Sequence, residues 1–83
     1  MRNKIMKIIN KWDPIDIFPM GPEDEYIREI EFIEKIIEDN SEISTTDLAI
    51  KIHQLFTKRF GNDIYLCKKE DCIKIASEIL DLK

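Results

Sequence analysis

Three prolines within nine residues, Pro14, Pro19 and Pro22, separate two stretches of helical periodicity and decide more about this chain than any other feature. Each proline fixes its own φ near −65° and restricts the residue before it, here Asp13, Phe18 and Gly21, so no helix can run from the first pattern into the second. The intervening segment, WDPIDIFPMGPEDEY from Trp12 to Tyr26, holds all the prolines, the only tryptophan and a cluster of acids. Such a loop loses little entropy on ordering and is stiff. Ile15, Ile17, Phe18 and Met20 make it too apolar for a purely solvated connection. At about 25 cal/mol per Å² of apolar area, covering most of them is worth several kcal/mol.

On either side the pattern is helical. Ile5, Ile8, Ile9 and Trp12 recur at i, i+3, i+4 and i+7, which predicts an amphipathic helix over 3–12, ended by Pro14 with Lys11 at the negative end of its dipole. Pro22 followed by Glu23, Asp24 and Glu25 reads as a helix start, giving a second helix over 22–39. Its inner stripe is Tyr26, Ile30, Ile33 and Ile37, widened by Ile27 and Ile36, with Glu29, Glu31, Glu34, Lys35 and Glu38 on the wet side. Ser44 to Asp47 reads as a capping box opening a third helix over 45–60, lined by Leu48, Ile52, Leu55 and Phe56 and closed by a left-handed Gly61. Asn62 to Cys67 form a connection carrying buried Ile64, Tyr65 and Leu66. Cys72, Ile75, Ala76, Ile79 and Leu80 then place a fourth helix over 68–82. Valine is absent and glycine rare, which leaves little material for sheet and tight turns. The expected fold is all-α: a compact four-helix bundle-like single domain, residues 1–83, with the proline-rich loop between helices 1 and 2.

Eighty-three residues bury only about 60–65% of the surface that the unfolded chain exposes, so the core is small and a deep catalytic cleft would need more than one subunit. Cys67 and Cys72 are the only cysteines and no secretory segment precedes them, which predicts free thiols in a cytoplasmic protein. The apolar runs fall well short of the roughly 18–20 residues of a membrane span. Charge is segregated: residues 1–12 carry four bases and no acids, and residues 13–42 carry eleven acids against Arg28 and Lys35. A basic first helix pairing with an acidic second one accounts for this. Four bases in a chain of net charge −4 are a poor footprint for nucleic acid or a membrane surface, and neither is expected as a partner.

WDPIDIFPM followed by PEDEY resembles the WDPIG-[LI]-FPM…P-x-DEYD pattern of the YugE-like family, short bacterial proteins of unknown function, and the resemblance extends over essentially the whole length. It implies a compact helical domain and carries over no mechanism, since the family has no established activity or catalytic residues. Two departures stand out. Asp16 occupies a position where glycine is common, and Ile27 follows Tyr26 where the pattern usually has an acid, which weakens any case for a metal at that point.

Candidate chemistry is sparse. Asp13, Asp16, Glu23, Asp24 and Glu25 are hard oxygen ligands of the kind that hold Mg²⁺ or Ca²⁺, but they lack the EF-hand spacing, and Asp24 and Glu25 point about 100° apart on a helix. The preferred role for the acids is structural, with Asp24 or Glu25 hydrogen-bonding the loop backbone or the Trp12 indole. His53 is the only histidine and reads as a boundary residue. Cys67 and Cys72, five apart, lack the spacing of a redox pair or zinc knuckle, Cys72 reading as core and Cys67 as accessible. No phosphate loop, nucleophile elbow or dinucleotide fingerprint is present. The sequence therefore predicts no catalytic, cofactor-binding or metal-binding residues. It points to a non-enzymatic domain that contacts an unidentified protein partner through the loop region, with Trp12, Asp13, Pro14, Phe18, Met20, Asp24, Glu25 and Tyr26 as candidate interaction or loop-anchoring residues; the plainer reading of the same loop is that its apolar residues cap the end of the bundle, anchored by Trp12. The alternative is a small metal-dependent enzyme or hydrolase whose carboxylates group at the loop. A third reading is a domain that supports a larger assembly, with an exposed helix face for homodimerisation; sequence leaves monomer and dimer open.

Overall fold

The computed structural model describes residues 2–18, 20–21, 24–61, 63–65 and 67–82; Pro19, Pro22, Glu23 and Leu66, on which the sequence reading also drew, lie outside the described residues. Four helices follow one another: α1 (Arg2–Trp12), α2 (Ile27–Asp39), α3 (Thr45–Phe60) and α4 (Lys69–Leu80). Each packs against two neighbours, α1 against α2 and α4, and α3 against the same two, so the four form a ring around one core. No described helix is long and apolar enough to cross a membrane.

The periodic residues meet at the centre. Ile5 and Ile9 of α1, Ile30, Ile33 and Ile37 of α2, Leu48, Ile52 and Phe56 of α3, and Cys72, Ile75, Ala76 and Ile79 of α4 are buried together. One ion pair joins the basic α1 to the acidic α2: Arg2 donates through both Nε and Nη2 to Glu34 Oε1, at 3.2 and 3.0 Å. Arg2 is half exposed, so the pair contributes little to stability. Ser44 Oγ accepts the Asp47 N–H at 3.1 Å and opens α3. Gly61 closes it with φ +80°, its N–H on the Thr57 carbonyl, though its ψ of 164° is extended rather than left-handed helical. Asp71 Oδ2 accepts the Lys68 N–H at 3.0 Å at the start of α4.

Three expectations are corrected. The second helix begins at Ile27 and not at residue 22: residues 24–26 are a turn, closed by the Ile27 N–H on the Asp24 carbonyl at 3.1 Å, with Tyr26 at φ −96° and ψ 10°. That backbone leaves the Tyr26 ring in the core and its hydroxyl on the loop, a tie that competes with an earlier start. Glu29, assigned to the wet side, is 3% exposed because it lies against α3 beside Arg59. Ile64, assigned to the core, is 57% exposed, because its neighbour Tyr65 turns inward and takes the place.

Candidate functional site

Six of the seven aromatic side chains gather at the end of the ring where the proline loop lies. Phe56 is their hub: Trp12 meets it edge-on at 5.4 Å, Tyr26 at 5.7 Å, while Tyr65 and Phe60 stack on it at 5.8 and 6.0 Å. Phe18 packs edge-on against Tyr26 at 6.1 Å. Edge-to-face pairs of this kind add about 0.5–1.5 kcal/mol each to the burial of the rings. Ile15 and Ile17 are partly buried against the same core, so most of the apolar content of the loop is structural. Met20 is the exception at 93% exposure.

The polar organisation of the loop centres on Asp13. Pro14 excludes right-handed helix at Asp13, and the last helical bond runs from the Asp13 N–H to the Ile9 carbonyl at 2.8 Å. The Asp13 backbone then takes φ 49°, which turns the carboxylate under the segment that follows. Oδ1 accepts the Ile17 N–H at 3.0 Å and the Tyr26 O–H at 2.7 Å, and Oδ2 accepts the Phe18 N–H at 3.0 Å. The Tyr26 oxygen in turn accepts the Ile15 N–H at 3.3 Å. Burial works to raise the Asp13 pKa, but the bonds from Tyr26, Ile17 and Phe18 together outweigh it and hold the carboxyl below its ordinary range. Burial first, and the bond to Asp13 second, push the Tyr26 phenol far up, so it stays a donor. Gly21 completes the loop with its N–H on the Ile17 carbonyl; a Cβ there would sit 2.8 Å from that of Ile17. Pro14 is buried, and its carbonyl accepts the Cys67 thiol at 3.4 Å, which ties the loop to the entry of α4.

Of the eight residues singled out by sequence, the structure thus joins Asp13, Phe18 and Tyr26 in one network, with Pro14 in its turn and Trp12 anchoring it on Phe56. Among the described residues it is Asp13, and not Asp24 or Glu25 as preferred, that accepts the loop amides; it comes earlier in the chain and lies under the amides of Ile17 and Phe18. Asp24 is exposed and Glu25 half-buried. Among the described residues no three His, Cys, Asp or Glu side chains come together to hold a metal.

A second polar cluster lies under α4. The Tyr65 hydroxyl is 3.2 Å from His53 Nδ1 and 3.0 Å from Cys72 Sγ. Tyr65 and Cys72 are buried, and burial raises the Cys72 thiol more than the Tyr65 bond lowers it. Burial, with the nearby Asp71 and Cys72, likewise raises Cys67 against the hydrogen bond of the Trp12 side chain. Nucleophilic chemistry requires thiolate, and both sulfurs are kept as thiols. The cluster packs the junction of α3 and α4.

The model of one family, described as a domain of unknown function (DUF1871), matches residues 4–83, nearly the whole chain. The chain belongs to the DUF1871 family. No curated protein and no solved structure matches it. For this DUF1871 domain, sequence placed Asp13 among the candidate loop-anchoring residues without singling out its carboxylate as the organiser, and it missed the His53, Tyr65, Cys72 contact. Asp13 had a legible signal, an acid immediately after a helix and before a proline, where short side chains commonly satisfy loop amides. The Cys72 contact had none, since its members lie on three separate segments.

Proposed function

We propose that the domain is a small non-enzymatic cytoplasmic protein-interaction module, of the bacterial YugE-like kind that its loop motif resembles, and that the Trp-Asp-Pro loop is its docking element. The observation that carries this is Met20, fully presented to solvent at 93% exposure on a loop held from below by Asp13 and Tyr26. Methionine is a flexible, polarisable anchor, and a rigid mount spares the entropy that a mobile loop would lose on binding. The partner it suits is a protein with an apolar socket bordered by positive charge, because Asp16 and Asp24 flank the loop on the exposed side. A carboxylate-based enzyme site draws less support: Asp13, the best placed acid, has its oxygens engaged by three donors.

The test is quantitative affinity capture from lysate with wild type and Met20→Asp, followed by titration of the purified captured protein against both. Met20→Asp leaves the fold intact, unlike a change at Phe18, which packs on Tyr26. At least a tenfold weaker affinity for the variant is expected, about 1.4 kcal/mol. Equal affinities would remove the loop from the interface.

A further inference from the structure

A groove of about 430 Å³ runs between α1 and α4, floored by Ile8, Trp12 and Ile75. Lys7, Lys11 and Lys74 line it, with Asp71 and Glu78 as the acids. The three lysines outnumber the two acids, so the groove is basic by one charge. The groove opens at Lys11 and Trp12, where the proline loop departs. The two surfaces are therefore adjacent, and their charges are opposite in sign: the groove lining carries three bases against two acids, and residues 13–27 carry five acids and no bases. One offers an apolar knob in an acidic setting, the other an apolar floor in a basic one. Adjacent surfaces that are complementary to each other are what a two-fold axis needs, since each copy then gives its knob and receives its partner's.

We infer that the occupant of the α1–α4 groove is a second copy of this chain, the Met20 loop of each protomer seated on Ile8, Trp12 and Ile75 of the other. This rests on the reading of the loop as a docking element and names its partner. The exposed Met20 loses its contact with water, the half-buried Trp12 gains a cover, and Asp16 and Asp24 come to Lys7, Lys11 and Lys74 of the partner protomer. The lysine stems can lie along the apolar floor with their ammonium groups at the rim.

Light scattering after gel filtration tests it on the intact chain over a hundredfold range of concentration. Wild type is expected to move from the 9.9 kDa monomer towards twice that mass. Met20→Asp on the loop side and Lys11→Glu on the groove side should each raise the dissociation constant at least tenfold with an unchanged helical circular dichroism spectrum. Raising the salt concentration should weaken the wild-type dimer, since the paired charges lie at a rim open to screening. A wild-type chain that stays monomeric overturns the inference, as does a dimer indifferent to both substitutions. A monomer that still captures a protein through Met20 would leave the docking reading standing and remove only the second copy.

Discussion

The Tyr26 hydroxyl donates to Asp13 Oδ1 at 2.7 Å across the whole proline loop, and the same carboxylate takes the amides of Ile17 and Phe18. One side chain at the exit of α1 and one at the entry of α2 therefore set the path of everything between them. Bonds to a charged acceptor are worth about 1.5–3 kcal/mol each, and orphaned amides carry their own penalty. Asp13→Ala is expected to cost about 3 kcal/mol in urea unfolding and Tyr26→Phe about 1–2 kcal/mol. The double variant should cost less than the two added together, because the pair shares one bond. A strictly additive pair would disconnect the two residues.

Asp13 also sets an acid limit. Its folded pKa lies below the ordinary 3.8, so the carboxylate is favoured in the folded state. The stability it contributes is present above 3.8 and disappears as pH falls through the lower folded value. Wild type and Asp13→Ala should differ most above pH 4 and converge below it. A difference that persists undiminished in the most acidic buffers in which both remain folded would assign the effect to packing.

Asp16 stands at φ 56°, in a region where an ordinary residue is strained and glycine is not. Asp16→Gly should stabilise the domain by about 0.5–1 kcal/mol, the relief of strain exceeding the added freedom of the unfolded chain. Gly21 is the opposite case. Gly21→Ala drives a Cβ against Ile17 Cβ and the Ile17 carbonyl, at 2.8 and 3.0 Å, and should cost about 1–3 kcal/mol. Thermal melts of the two variants should move in opposite directions; a shared direction would show that the loop relaxes around either residue.

How far sequence carried is visible in α2. Its inner stripe was legible because Tyr26, Ile30, Ile33 and Ile37 repeat with the helical period, and all four are buried. Its start was not. Pro22 and three acids are a sound local signal, but the backbone at Tyr26 answers to Asp13, a residue far back in the chain, and local rules cannot see that. Glu29 fails for the same reason: its burial is decided by Arg59 on α3. In the loop, sequence identified the need for cover, and placed Trp12, Phe18 and Tyr26 near it. The choice of Asp13 over Asp24 and Glu25 depends on which carboxylate lies beneath the Ile17 and Phe18 amides. Only the folded chain fixes that.

Glu29 illustrates the reverse sign of the pH argument. Its carboxylate is 3.6 Å from Arg59 Nε through one oxygen, while the other finds no hydrogen-bond partner among the described residues. Burial raises its pKa more than Arg59 lowers it. A carboxyl raised in the folded state favours folding below its unfolded pKa, and that advantage is lost as pH rises through the folded one. At neutral pH the ionised group is therefore a cost. Glu29→Gln keeps the shape and leaves only a half-exposed Arg59 unpaired, so it should raise the melting temperature at pH 7, with the gain vanishing towards pH 4. A lower melting temperature at pH 7 would mean that the Arg59 pair outweighs the burial.

The thiols give a last test of the core. Cys72 has no exposed surface, bonds to the Tyr65 hydroxyl at 3.0 Å, and is held above its ordinary pKa chiefly by burial. Its alkylation in the native protein should wait for unfolding, and so should slow with every kcal/mol of added stability. Cys67 is partly exposed but also raised, so it should react before Cys72 and more slowly than a free thiol. Tyr65→Phe removes the hydroxyl from between Cys72 and His53 while keeping the ring on Phe56, and should cost about 1 kcal/mol. The variant should speed Cys72 alkylation about fivefold, the factor that 1 kcal/mol of lost global stability supplies. Mass spectrometry of iodoacetamide-treated protein over time reads both sites at once. Fast modification of Cys72 in fully folded wild type would place the α3–α4 junction in local exchange with solvent and remove it from the cooperative core.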